Sequence, residues 1–406
     1  MNICFLSMEY PPETGLGGGI GTYTKSISHA LARLGHNVHV VSYSIYENKE
    51  YEDDGVYVHR IGLDGHSYII PSQSILPKTV SRLNYSFRIC KRLQRLVGQY
   101  DIDIVEAPEW YAESLFASFP NRIRTPVVVR LHTPLFVINA IARARRPIDT
   151  VLASHLEIIS MERATRLTSP SHSLANVVAK KLALRESSVR VIPNGIDPKS
   201  LSGVRDVEFR RKHGIAENVP LILFIGKLEY RKGVGLLAKA IPIIMSEVKD
   251  AMFAFVGKDT NTSPLNGSYK EYIRIVAREY TDRVFFTGFV TEDEKANAYR
   301  ESDVLVFPSI YENFPYVLLE AASCACPIVA FKSGGIPEII ENRKSGLLAS
   351  HMNSESLARA VIYMLKNPEE ASRFGDSARN RVEENFGIQR TAELTLNFYE
   401  QVLTCT

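Results

Sequence analysis

Short apolar runs alternate with helix-length segments along the whole of this 406-residue chain, and that alternation limits the fold more than any other feature. Runs such as Leu221-Ile222-Leu223-Phe224-Ile225 and Val304-Leu305-Val306-Phe307 carry no polar residue, so both faces of such strands need cover. Strands covered on both faces and separated by helices read as parallel strands joined by crossovers. The first half gives strands at Asn2–Ser7, Val38–Ser42, Val56–Arg60, Ile104–Glu106, Val127–Leu131, Leu167–Ser169 and Val189–Ile192. Between the first two, Ile20, Tyr23, Ile27, Ala30, Leu31 and Leu34 keep a helical period, and Gly35 closes that helix. The second half starts afresh with Leu221–Ile225, then Met252–Val256, Val284–Phe286, Val304–Phe307 and Ile328–Ala330.

A chain of 406 residues is long for one core and divides into two. The turn-rich stretch Pro193-Asn194-Gly195-Ile196-Asp197-Pro198 reads as the linker. The expected architecture is α/β: two Rossmann-like domains with parallel sheets facing across a cleft, residues 1–195 and 196–387, with a C-terminal helix at about 388–406 packing back on the first. Ligands of such sheets bind where strand C-termini meet helix N-termini.

A hydrophobic fraction of 45% and a charged fraction of 23% are those of an ordinary globular protein, and a net charge of +3 gives no footprint for nucleic acid. Five cysteines make no disulfide framework, and Cys324-Ala325-Cys326 has no neighbouring His or Cys to complete a metal site. No signal peptide precedes the first strand and no apolar run approaches the ~20 residues that span a bilayer, so a cytoplasmic protein is expected.

The chemistry concentrates after the strand Val304–Phe307, in Ser309-Ile310-Tyr311-Glu312-Asn313-Phe314-Pro315 and the helix that follows. Glu312 falls in the turn and Glu320 inside the helix, with the amides of Asn313 and Phe314 at its positive end. Two carboxylates and a helix N-terminus suit a ligand with both hydroxyls and phosphates, as a sugar nucleotide has. After the strand Leu221–Ile225, Lys227 and Lys232 flank a loop where two cations could neutralise a diphosphate leaving group. The loop Glu9–Gly21 is rich in glycine and leads into the first helix, so Gly18 and Gly19 can bring backbone amides close to a phosphate. No register of these glycines gives G-x-G-x-x-G, and no P-loop is present. His132 ends the strand Val127–Leu131, while Glu109 and Trp110 end Ile104–Glu106, an acid and a ring that suit a sugar's hydroxyls and face. Asp101-Ile102-Asp103 has the D-x-D form of a divalent-metal site, but it precedes a strand where a metal pair should follow one.

The eight-residue spacing of Glu312 and Glu320 resembles the EX7E signature of GT4-type retaining glycosyltransferases of the GT-B fold. The glycine loop with Gly35-His36, the Lys227/Lys232 loop, His132 and Ser333-Gly334-Gly335-Ile336-Pro337-Glu338 agree with it. Lys227 stands where that family commonly has Arg, a cation without the bidentate fork. The resemblance implies transfer of a hexosyl unit from a nucleoside diphosphate sugar to an acceptor hydroxyl, with no metal cofactor. A UDP-sugar is the first expectation for the donor and GDP-mannose the second. It further implies that Glu320 binds the ribose and that Glu312 with the Asn313 and Phe314 amides holds the donor sugar. Lys227, Lys232, Gly18 and Gly19 would meet the diphosphate, and His132 the donor sugar. A GT-B epimerase or phosphorylase, or a non-catalytic sugar-nucleotide-binding subunit, is the alternative. The acceptor would be a glycan, a small molecule or a lipid-linked species. For the lipid-linked case, Lys78, Arg82, Arg88, Lys91, Arg92 and Arg95, with Arg143, Arg145 and Arg146, would set this half on an anionic membrane surface.

Overall fold

In a computed structural model that describes residues 1–11, 18–44, 46–62, 76–142, 147–201 and 208–405, each strand expected from the sequence is found. Residues 12–17 of the glycine loop, and Arg143, Arg145 and Arg146, lie outside the described residues. The chain forms two units, Met1–Gly195 with Ile388–Thr406, and Ile196–Gly387.

The first unit is built on β1 (Asn2–Leu6), β2 (Asn37–Ser44), β3 (Lys49–Asp53), β4 (Val56–Gly62), β5 (Ile104–Pro108), β6 (Val127–Arg130), β7 (Arg166–Ser169) and β8 (Val189–Val191). They lie in the order β3-β4-β2-β1-β5-β6-β7-β8. All neighbours are parallel except β3, an edge strand that runs antiparallel to β4. The sequence Lys-Glu-Tyr-Glu-Asp of β3 has no apolar run, because an edge strand needs no buried face. Its partner is reached through Asp54-Gly55, both with positive φ (51° and 82°), the two-residue turn that joins hairpins.

The second unit holds β9 (Leu221–Ile225), β10 (Met252–Val256), β11 (Val284–Gly288), β12 (Val304–Phe307), β13 (Ile328–Phe331) and β14 (Leu347–Ala349), all parallel, in the order β11-β10-β9-β12-β13-β14. Alternate side chains feed two cores. Ile222 and Phe224 join Val304 and Val306 on one face, while Leu221, Leu223 and Ile225 join Leu305 and Phe307 on the other.

Strand order reverses between β1 and β5 in the first sheet and between β9 and β12 in the second. At such a switch point the crossovers leave in opposite directions and open a crevice at the strand C-termini. Apart from His132, which follows β6, the candidate residues lie in or just beyond the loops that follow those strands.

In the first unit the C-terminal helix Ile388–Thr404 packs on the helix Gly19–Arg33. Glu106, buried in β5, ties both down: Tyr23 donates to Oε1 at 2.7 Å and Tyr399 to Oε2 at 2.9 Å.

Candidate active site

Three backbone loops of the second unit lock together around Glu312. Gly233 takes φ +69°, and a Cβ there would stand 1.7 Å from the Pro308 carbonyl oxygen, so only glycine lets the loop after β9 meet the loop after β12. The Ile310 amide donates to the Arg231 carbonyl at 2.9 Å and fixes their register. From the loop after β13, the Gly335 amide donates to the Glu312 carbonyl at 3.0 Å. A Cβ on Gly334 would fall 2.0 Å from that same oxygen. The lysine loop and the Gly334-Gly335 turn are thus the two walls that place Glu312.

The Glu312 side chain is only 12% exposed, and two cations converge on its Oε1: Lys232 Nζ at 2.6 Å and Arg231 at 2.9 Å. Burial alone would raise this carboxyl, but Lys232 and then Arg231 outweigh it and hold the group below its ordinary value. Among the described residues both of these donors reach Oε1 and none reaches Oε2. Arg231 was missed by the sequence reading. It also bridges to Glu229 at 3.2 Å, and only the tertiary contact separates it from an ordinary solvated cation beside Lys232. Lys227 is exposed on the same loop.

Pro315 caps the helix Tyr316–Ser323, where its missing amide costs nothing. Asn313 and Phe314 are buried just before it, and Phe314 stacks edge-on against Phe386 at 5.2 Å. The Phe314 ring therefore belongs to the core. Glu320 receives Tyr299 on Oε2 at 2.8 Å and Lys295 on Oε1 at 3.0 Å, two contacts not foreseen in the sequence.

In the first unit Gly18 caps the helix Gly19–Arg33 in an extended conformation, and a Cβ on Gly19 would meet nothing within 4 Å. The sterically obligatory glycine is Gly21, where a Cβ would lie 2.1 Å from the Glu9 carbonyl oxygen. His132 packs edge-on against Tyr23 at 5.5 Å, and burial followed by the Arg130 charge pushes its imidazole down to about 3. It is neutral near pH 7, a hydrogen-bonding group without charge.

The pairing of Glu109 and Trp110 as a sugar platform meets a different geometry. Glu109 is fully buried, and its oxygens accept the amides of His132 (2.8 Å) and Thr133 (2.7 Å). Buried Glu157 holds the amides of Leu135 (2.7 Å) and Tyr111 (3.3 Å). Two buried carboxyl groups therefore shape the turn after β6, and Glu109 holds the His132 and Thr133 amides. Trp110 is half-buried with the Arg82 guanidinium 5.7 Å from its ring.

Arg82 itself is buried 3.6 Å from Glu157, and Arg92 pairs with Glu50, so the basic face expected along Pro77–Tyr100 is reduced by two. Asp101 takes φ +47° at the end of that helix and Asp103 accepts the Asn2 amide at 2.7 Å, which puts both at the N-terminal edge of the first sheet. Among the described residues no cluster of His, Cys, Asp or Glu is arranged to hold a metal ion, and no helix is long and apolar enough to cross a membrane.

The family model "Glycosyltransferase Family 4" matches residues 17–200 and "Glycosyl transferases group 1" matches residues 206–381. An uncharacterized glycosyltransferase of Methanocaldococcus jannaschii is 28% identical over 98% of both chains. Among solved structures, sucrose-phosphate synthase from Thermosynechococcus elongatus is similar over 100% of both chains, with a TM-score of 0.79 at 22% identity. The Anabaena HepE protein in complex with UDP-glucose is similar over 99% of this chain and 100% of that one, with a TM-score of 0.71 at 18% identity. With one matched model on each unit, the chain belongs to the GT4-type glycosyltransferases of the GT-B fold.

Proposed function

We propose that this glycosyltransferase is a retaining enzyme that moves a hexosyl unit from a nucleoside diphosphate sugar, a UDP-sugar first and GDP-mannose second, to an acceptor hydroxyl. The observation that carries the reading is Glu312, kept ionised by Lys232 and Arg231 on one oxygen while the other stays open at the switch point of the second sheet. Oε2 and the Asn313 and Phe314 amides hold the donor sugar's hydroxyls, and Glu320 holds the ribose. Lys232 and Lys227 meet the diphosphate as its charge grows, the step at which a fixed cation helps most. His132 is a neutral hydrogen-bonding group for the sugar, and the Gly18 and Gly19 amides serve phosphate. The UDP-glucose carried by the HepE structure supports a UDP-sugar donor.

A carboxylate bound to two cations is a poor nucleophile, which favours a front-face route. In it the bond from the anomeric carbon to the diphosphate breaks, the acceptor oxygen bonds to that carbon on the same face, and the leaving phosphate oxygen takes the acceptor proton. No metal is needed where Lys227, Lys232 and amides meet the diphosphate. A thermal-shift screen with UDP, GDP, ADP and their sugars tests the reading, since a true ligand at ~100 times its Kd adds about 2.7 kcal/mol. Stabilisation by one nucleotide and its sugar is expected; no shift with any of them refutes a nucleotide-sugar donor. The acceptor is a glycan, a small molecule or a lipid-linked species. Sedimentation with anionic vesicles at low and high salt separates the last from the others, with exposed Lys91 and Arg95 changed to Ser as the control.

A further inference from the structure

Glu320 is held at both oxygens by one helix. Tyr299 Oη donates to Oε2 at 2.8 Å and Lys295 Nζ to Oε1 at 3.0 Å. The two donors stand four residues apart on the helix Glu292–Glu301, so they share one face, and a capping box between Thr291 and Glu294 fixes that helix at its start. Tyr299 has no exposed surface, and the Glu320 side chain is 12% exposed. Burial first, and the Glu320 charge second, keep the Tyr299 hydroxyl well above its ordinary value, so it remains a donor throughout the neutral range. Burial would lower Lys295, but Glu320 and Glu292 outweigh it and keep the ammonium charged.

A carboxylate offers about four acceptor positions, and here two are already filled, one on each oxygen. The two that remain are fixed in direction, and a vicinal diol presents two hydroxyls to match them. A carboxylate free to turn could exchange a missing hydroxyl for water. A clamped and largely buried one must leave an acceptor unsatisfied, which is how a site rejects a ligand that lacks one hydroxyl. We propose that Tyr299 and Lys295 are positioning residues that make Glu320 select a ribonucleoside diphosphate over its 2′-deoxy counterpart. This rests on the assignment of Glu320 to the donor ribose.

The test is calorimetric titration of the full chain with UDP, GDP and ADP and with dUDP, dGDP and dADP. The unmodified protein is expected to bind its best ribonucleotide about 10-fold tighter than the deoxy form, a difference of the size carried by one hydrogen bond to a charged group. In Tyr299→Phe and in Lys295→Met that ratio should fall toward about 2, through weaker ribonucleotide binding with the deoxy affinity nearly unchanged. Glu320→Gln should abolish it. A packing role alone would weaken both nucleotides by one factor and leave the ratio intact, which overturns the inference while the donor assignment stands. A ratio that survives Glu320→Gln removes that residue from the ribose and the clamp with it. Absence of binding by every nucleotide defeats the proposed function and this inference together.

Discussion

The Lys232 ammonium donates to Glu312 Oε1 across 2.6 Å, so the cation assigned to the departing diphosphate is also the counter-ion of the carboxylate beside it. Breaking a buried pair usually strands the remaining charge. Here Arg231 stays on the same oxygen at 2.9 Å, so loss of Lys232 need not cost the fold.

Lys232→Ala is therefore expected to lower kcat by ~10²–10³, the usual size of one preorganised electrostatic contact, with a much smaller effect on UDP affinity. Steady-state kinetics beside a melting curve check this. A kcat near that of the unmodified enzyme would take the lysine out of the mechanism.

Gly233→Ala should be far more damaging than its size implies. The residue would be held at φ +69°, with its methyl 1.7 Å from the Pro308 carbonyl oxygen, so the two loops must separate. A cost of about 1–3 kcal/mol is expected from the backbone strain alone. Urea unfolding should show it, and kcat should fall with it because Glu312 and Lys232 sit on the parted loops. An unchanged midpoint would mean that the loops yield without effort.

Much of this was legible in the sequence because strands buried on both faces leave uninterrupted apolar runs, and residues at strand C-termini are placed by topology alone. Glu312, Lys227 and Lys232 could be placed that way, and Glu320 by the helix that follows β12. Strand β3 could not, since its charged edge sequence carries no hydrophobic signal, although Asp54-Gly55 was a usable sign of the hairpin. Nor could the partners be read: Arg231, Lys295, Tyr299 and Glu157 are ordinary residues until tertiary packing sets them against a carboxylate. The burial of Glu109 was hidden for the same reason, because a buried glutamate serving two backbone amides looks, in sequence, like an exposed one.

Turnover is expected to survive EDTA. Lys232 and Lys227 can neutralise the diphosphate, and Asp101 and Asp103 lie at the N-terminal edge of their sheet, opposite the strand ends where ligands of such sheets bind. Loss of turnover on chelation, with recovery in Mg²⁺ or Mn²⁺, would refute the metal-independent site.

Stability should fall as pH rises from about 7 to about 9, because the folded chain holds buried glutamates that bind protons more tightly than the unfolded one. Glu113 accepts the Met8 amide at 3.0 Å, and burial pushes its carboxyl from 4.5 up to about 8. Glu109 is raised as well, by burial and then by the neighbouring Glu157, and Glu157 by burial. A raised carboxyl stabilises the fold while protonated, and that contribution is lost as pH climbs through the folded value. Below the ordinary histidine range a contribution of opposite sign joins that of the glutamates. His39 and His59, each pushed down to about 4 by burial, and His132, pushed down to about 3, must stay neutral when folded. Glu312, held below its ordinary value, contributes stability that disappears only in acid. The alkaline window therefore avoids the histidines, and the buried thiols of Cys4, Cys324 and Cys326, raised by burial, add a loss of the same sign only near its upper end. Melting temperatures should drop by several degrees across it, at roughly 2–4 °C per kcal/mol for a unit of this size. Glu113→Gln, which cannot ionise, should flatten the drop without changing its sign. A melting temperature that is level or rising from about pH 7 to about pH 9 in the unmodified protein would mean that these carboxyls are buried as anions.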